Sequence, residues 1–190
     1  MTTYLLSALI ATVMLFSLYI LSLRKYPAEL KFDLPNQVAE YKVPSEPLNN
    51  NQPFSISLRL RTTLSLGGIC FFTAGGYTVD LRVQNAKVVL LFKVTSSNLV
   101  KLTLESKVNL YEGWNDLQVL CVTEASTTLK VKLNLNNNIS TGTITDVLPF
   151  TPSKVIFGHL NFKGCLKDLY FNDEMVHESN LILINVFNGS

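Results

Sequence analysis

The sequence predicts an all-β chain, an antiparallel sandwich set behind one N-terminal transmembrane helix. Three observations carry that expectation. From Phe54 onward apolar and polar residues alternate, as in "FSISLRLR", the mark of a strand with one buried face. Glycine- and asparagine-rich turns punctuate the runs at Gly67-Gly68, Gly75-Gly76, "QNAK" and "NLNNNIS", and no helical period appears after residue 26. Many short strands at such spacing form an antiparallel sandwich or barrel. The third observation is the run Tyr4–Leu23, twenty residues without a charge, a Gly or a Pro.

That run spans roughly 30 Å as a helix, the thickness of the bilayer hydrocarbon. It lacks the basic n-region and small-residue exit of a cleaved signal peptide, and it is apolar on every face, unlike a core helix. Residues 1–25 are therefore expected to stay in the protein as a membrane anchor. Arg24 and Lys25 taken alone would hold the following domain in the cytosol, but long downstream domains translocate despite such flanking charge. The sequons at Asn138 and Asn188 permit an outside location, so an extracellular, lumenal or virion-surface domain is expected.

The chain carries 16 basic and 14 acidic residues, and Arg24 and Lys25 account for the whole surplus. An electroneutral body lacks the positive excess that displaces phosphate counterions, which excludes nucleic acid as a partner. Residues 26–53 hold prolines at 27, 35, 44, 47 and 53. Proline removes backbone donors and breaks central-strand patterns, so this segment reads as an extended stalk with at most an edge strand near Val38–Val43. Residues 54–190 then form the sandwich domain. Alternation recurs in "YTVDLRV", "KLTLESK", "DLQVLCV" and "TLKVKLNL", while "GGICFF" and "VVLLFKV" suit strands covered on both faces.

The order of pieces from Phe54 to Asp173 resembles the laminin G-like domain, a jelly roll of the concanavalin-like class. The opening "SLRLRTTLSLGGICFF", the pair "YTVDLRVQNAKVVLLF", the "YEGWNDLQV" stretch with Gly113 and Trp114, the "VIFGHL" strand and the closing "FKGCLKDLYFN" follow that family's sequence of motifs. In the second piece Asn85-Ala86 replaces a common Asp-Gly, and in the third Asn115 replaces a histidine. The resemblance implies a non-enzymatic recognition or adhesion module binding a protein or glycan. It also implies departures. The family's Gly-Cys cysteine has a downstream partner, and no cysteine follows Cys165. The staple is then absent, or Cys165 pairs with Cys121 or Cys70. The calcium-binding acid of some members is replaced by Gly76, and without carboxylate oxygens a hard cation is poorly held. No cofactor or metal is expected. The closing segment is expected as an inner strand, with Leu166 and Tyr170 on one face and Cys165, Leu169 and Phe171 on the other, entered through a tight approach at Gly164.

A second resemblance concerns arrangement rather than motif. A charge-free N-terminal helix followed by basic residues and a compact outer domain is similar to envelope proteins of occlusion-derived baculoviruses, the 19 kDa type of per os infectivity factor. It implies a part in host-cell attachment and oral infection.

Catalysis finds no support in the residues. Asp80, Glu105 and Asp116 are single acids on their strands, whereas glycoside cleavage needs two carboxyls about 5–10 Å apart. His159 and His177 are too few for a metal site. Trp114 reads as a strand-entry packing residue, with sugar stacking as the alternative. Cys70 and Cys121 read as buried thiols. The candidate ligand-facing set is a basic stripe of Arg59, Arg61, Arg82, Lys130 and Lys132, all of outward parity, suited to an acidic glycan or a protein. The competing class is a structural subunit of a membrane-bound complex with a sandwich face covered by partner chains.

Overall fold

The computed structural model describes Met14, residues 29–44, 53–63, 65–125 and 127–147, Phe150 and residues 152–185. Apart from Met14, the expected anchor over residues 1–25 lies outside the described residues, among which no helix is long and apolar enough to cross a membrane.

The strands are β1 (Leu30–Phe32), β2 (Gln37–Lys42), β3 (Phe54–Arg61), β4 (Leu66–Ala74), β5 (Tyr77–Gln84), β6 (Lys87–Val94), β7 (Val100–Glu105), β8 (Asn115–Ala125), β9 (Thr128–Leu135), β10 (Asn138–Ile144), β11 (Lys154–Phe157), β12 (Gly164–Phe171), β13 (Glu174–Met175) and β14 (Leu181–Asn185). They form two wholly antiparallel sheets. The first runs β1-β12-β3-β8-β9-β10, with β13 on the free half of β12, and the second runs β14-β2-β11-β4-β5-β6-β7.

The hairpins are tight for a local reason. Gly75-Gly76, Asn85-Ala86, Asn136-Asn137 and Asn172-Asp173 all take positive φ at both positions, the two-residue turn whose twist matches that of its flanking strands. Asparagine tolerates this conformation through its short polar side chain. Ala86, at φ 60°, has no such means.

The inward residues of both sheets meet in one core. Phe54 lies at an aromatic centre, its ring 5.0 Å from Phe72, 5.5 Å from Phe150 and 5.1 Å from Phe171. Leu60, Leu90, Leu133 and Leu166 are fully buried. At about 1.5–3 kcal/mol for each such side chain, this core holds the sheets together without a disulfide.

Two expectations are corrected. Residues 30–42 are not a stalk: β1 pairs with β12, and β2 lies inside the second sheet between β11 and β14. Three of the five prolines mark strand ends instead of an extended spacer, since Pro35 sits in the β1–β2 turn and Pro44 and Pro53 lie just beyond β2 and before β3. The rest of the expected stalk, residues 26–28 and 45–52 with Pro27 and Pro47, lies outside the described residues. "QVAEYK" is left free to pair on both edges. In β12 the simple alternation fails. A bulge between Lys167 and Tyr170, with Asp168 at φ 50°, shifts the parity. Leu166, Leu169 and Phe171 therefore all reach the core, while Tyr170 faces out half-buried.

Candidate functional site

The outer face of the first sheet is ordered by cross-strand register. One row is neutral and polar: Tyr170 on β12 stands opposite Ser57 on β3, Ser57 opposite Gln118 on β8, and Gln118 opposite Asn134 on β9. The next row is charged, Lys167 opposite Arg59 and Arg59 opposite Asp116. Beyond it lie Lys31, Cys165 and Arg61. The first two rows, Lys167 apart, line a shallow groove of about 250 Å³ together with Asp168 and Asn137. Small-molecule sites that engulf their ligands run to about 300–1,000 Å³, so this groove suits a ligand lying across the sheet.

Arg59 governs its electrostatics. Its Nε lies 3.0 Å from Asp116 Oδ1 and its NH1 3.8 Å from Asp168 Oδ2. Two carboxylates flank this one cation, and Lys167 in the same row offsets the remaining negative charge, so the groove carries no positive surplus. The guanidinium also fills the gap between the acids, where a scissile bond would have to sit for paired-carboxylate chemistry. One polar atom of the groove, Asn134 Oδ1, is buried without a hydrogen bond, whereas Arg59 Nε is held by the Asp116 carboxylate. Buried polar atoms are nearly always satisfied, so a turn of the Asn134 amide toward a ligand hydroxyl or water would be favourable.

The loop at the head of the groove is built by Asn115. This buried residue donates to the Tyr111 and Gly113 carbonyls at 3.0 and 3.2 Å and accepts from Asn136 Nδ2 at 2.9 Å. The amide thus ties the 111–114 loop to the β9–β10 turn and seats Trp114. The indole is covered by cations, with Arg61 at 5.0 Å and Lys167 Nζ at 4.3 Å from the ring. Such contacts are worth about 0.5–2 kcal/mol, and they leave Tyr170 as the aromatic platform of the groove.

The five basic residues do not form one stripe. Arg59 and Arg61 lie on β3, and Lys130 and Lys132 on β9, with β8 between them. Arg82 lies on β5, in the other sheet. Lys130 pairs with Glu124 at 2.8 Å, Arg59 with its two aspartates, and Arg82 with Asp80 at 3.2 Å. Outward parity was legible, but sheet membership was not. Asn138, the candidate glycosylation site, is half-buried and donates its Nδ2 to the Asn136 carbonyl at 2.9 Å. Asn188 lies outside the described residues.

The three cysteines are buried and free. Cys165 pairs across with Arg61 at one end of β3, and Cys121 with Phe54 at the other. Seven residues of strand, about 23 Å, separate them, far beyond the 4.4–6.8 Å Cα span of a disulfide. Cys70 belongs to the core, whereas Cys165 points outward, its sulfur 3.9 Å from Arg61 NH2. The pairing of Cys165 with Cys121 or Cys70 is thus corrected to three thiols. Burial pushes the Cys70 and Cys121 thiols well up, with Asp80 adding to the effect at Cys70.

The second sheet holds a cluster that strand parity alone did not reveal. Asp80, 5% exposed, faces Arg82 NH2 at 3.2 Å, His159 Nε2 at 3.3 Å and Lys93 Nζ at 3.4 Å. Burial raises the carboxyl, but His159, Arg82 and Lys93 together outweigh it and hold Asp80 below its ordinary value. His159 reaches the cluster because Gly68 has no side chain where the imidazole lies. The signal available in the sequence was an acid placed two residues before Arg82. Among the described residues no group of three or more metal-ligating side chains gathers.

No family model matches the sequence, and no curated protein matches it. Solved structures share its fold. The LG1–3 region of the laminin alpha2 chain is 12% identical, with a TM-score of 0.60 over 84% of this chain and 34% of that one. Mouse laminin alpha1 chain domains LG4–5 are 14% identical, with a TM-score of 0.54 over 85% of this chain and 48% of that one. A structure of botulinum neurotoxin type C, whose cell entry depends upon interaction with two ganglioside molecules, is 11% identical, with a TM-score of 0.51 over 80% of this chain and 44% of that one. The chain spans a third to a half of the length of these proteins. The likeness establishes a laminin G-like sandwich.

Proposed function

We propose that this chain is a membrane-tethered recognition module without enzymatic activity, and that the groove on the outer face of its first sheet binds a saccharide. The observation that carries this reading is the row Tyr170, Ser57, Gln118 and Asn134, headed by Arg59 between two aspartates, with Asn134 Oδ1 left without a hydrogen bond. An aromatic ring beside amide, hydroxyl and carboxylate groups offers a sugar ring its apolar face and several hydroxyl partners. Because Arg59 and Lys167 are balanced by Asp116 and Asp168, the groove has no positive surplus, and the ligand class is a neutral saccharide rather than the acidic glycan implied by a basic stripe. Laminin domains and a ganglioside-dependent toxin sharing the fold agree with a binding role. The envelope-protein reading, with a part in host attachment, rests on the N-terminal arrangement alone.

The test is glycan-array binding of the full chain in detergent micelles, followed by titration of the best neutral saccharide against the native chain and the Tyr170→Ala and Asn134→Ala variants. Both substitutions are expected to weaken binding without unfolding the domain. Binding confined to sulfated or sialylated glycans, or unaffected by either change, would reject the groove. The second reading, a structural subunit of a membrane-bound complex, is favoured by the bare apolar strand β14. A chain that stays monomeric and dispersed in mild detergent without partners would count against it.

A further inference from the structure

From the sandwich edge formed by β1, β13 and β14, we infer that this edge is seated on the surface of a zwitterionic bilayer. The inference rests on the tethered reading of residues 4–23 and goes beyond it by assigning which part of the domain meets the lipid.

Strand β14 is the outer strand of the second sheet, and Leu181–Asn185 contains no charge. Leu183 is 70% exposed, Ile182 46% and Ile184 38%. Ile182 and Ile184 share the outer face with Glu40 and Val38, while Leu183 lies opposite the buried Ala39, so apolar side chains are bare on both faces. Edge strands that meet only water are ordinarily guarded by lysine, proline or a bulge; β14 has none of these. On the same edge Leu34 is 59% exposed in the β1–β2 turn, and Met175 37% exposed on β13. Each apolar group transferred to lipid gains about 25 cal/mol per Å².

The chain outside the described sheets says what covers this edge. The apolar run ends at Leu23, and β1 begins at Leu30 on the edge of the first sheet. Six intervening residues reach at most about 25 Å even when fully extended. A domain of this size is about 40 Å across. With residues 30–42 folded into both sheets, no stalk remains to lift the domain away. If the run spans the bilayer, the β1 edge is held at its surface, and β14 lies on the same side of the sandwich. The opposite edge, where Ser140 of β10 donates to the Glu105 carbonyl of β7, is out of reach. Asp173, Glu174 and Glu178 flank the apolar set and are exposed. Set against Arg24 and Lys25 at the tether, they leave the edge without a positive surplus, so an anionic surface gains nothing over a zwitterionic one.

The experiment uses the full chain in phosphatidylcholine vesicles whose acyl chains carry bromine, a contact quencher of indole fluorescence. Trp114, the single tryptophan, is first replaced by Phe. Leu183→Trp or Ile184→Trp then reports on the edge, and Ile139→Trp on β10 serves as the distant control. Both edge positions are exposed, and circular dichroism confirms that each variant folds. The edge variants should lose at least half their emission in brominated vesicles, and the control should keep its own. Equal emission with and without bromine, in protein that floats with vesicles and resists carbonate extraction, would leave the tether standing and overturn the docking. Release by carbonate would overturn the tether and the inference with it. Unquenched emission with cross-linked dimers would assign β14 to a second copy and also overturn the docking.

Discussion

Substitution at Gly164 tests how the first sheet is assembled. A Cβ added there falls well under 3.0 Å from the Arg61 carbonyl oxygen and 3.1 Å from both Phe162 Cζ and Thr62 Cβ. The carbonyl belongs to β3, whose pairing with β12 sets Arg61 opposite Cys165. Relief therefore requires the two strands to part, since neither a backbone carbonyl nor the buried Phe162 ring can swing aside. The backbone at φ 153° is also one that side chains rarely adopt. Overpacking typically costs 1–3 kcal/mol and a strained backbone residue a further 1–3, so Gly164→Val is expected to cost about 4 kcal/mol. At about 2–4 °C per kcal/mol for a domain of this size, the melting temperature should fall by roughly 10 °C. The neighbouring Cys165→Ser provides the contrast. Its sulfur points away from the core toward Arg61, and a serine oxygen accepts that hydrogen bond at least as well, so the cost should stay near 1 kcal/mol. Thermal melts of the two variants decide the matter. A serine variant that melts as low as the valine variant would refute the reasoning and restore a covalent role for Cys165.

Three further outcomes follow from the same geometry. Ala86→Gly should raise stability by about 1 kcal/mol, because alanine at φ 60° carries a left-handed penalty that glycine lacks; a denaturant midpoint that stays or falls would contradict this. Asp80→Asn leaves Arg82 and Lys93 without their shared counterion, removes the contact to His159, and should cost about 3 kcal/mol, the low end for a buried pair broken from one side. Because the Asp80 carboxyl is held below its ordinary value of 3.8, its contribution is present above that pH and lost as pH falls through the lower folded value; the acid limb of the native protein's stability profile should be shallower in the asparagine variant. Tyr170→Ala should weaken saccharide binding about tenfold, ~1.4 kcal/mol, as measured by calorimetric titration.

What the sequence disclosed was local. Period-two alternation located β3, β5, β8 and β9, because a half-buried strand writes its two faces into successive residues. The turns at Asn85 and Asn136 were legible because so few residues tolerate positive φ. The motif order from Phe54 to Asn172 pointed to the laminin G-like sandwich. What stayed hidden depends on register between distant strands. Ser57, Gln118 and Asn134 are ordinary outward polar residues until β8 is placed between β3 and β9, and Arg82 looked equivalent to Arg59 until the sheets were separated. The bulge at Asp168 broke the alternation that otherwise predicts facing, which misassigned Leu169 and Tyr170 relative to Leu166. Proline density misled in the opposite direction, since prolines at strand ends count toward a stalk in any composition-based reading.

The two proposals constrain each other through the strand order. In the first sheet the edge strand β1 is followed by β12, β3, β8 and β9, so the row from Tyr170 to Asn134 runs across the strands and away from the proposed lipid-facing edge. Three strand spacings of about 4.8 Å make that row about 14 Å long. With the edge on the bilayer, the sheet stands upright, Tyr170 lies nearest the tethering membrane, and Asn134 and Asn137 lie farthest from it. A saccharide carried on an opposing surface meets the amide end first and reaches the aromatic ring last. The hydrogen-bonding groups that select a sugar are then the ones first encountered, and the stacking surface that adds affinity closes the contact. A stalk would have left the orientation of the groove unspecified. In a chain tethered by residues 4–23, folding residues 30–42 into both sheets would remove that freedom, and the departure from the expected stalk would then be what lets one face of the sandwich be presented outward.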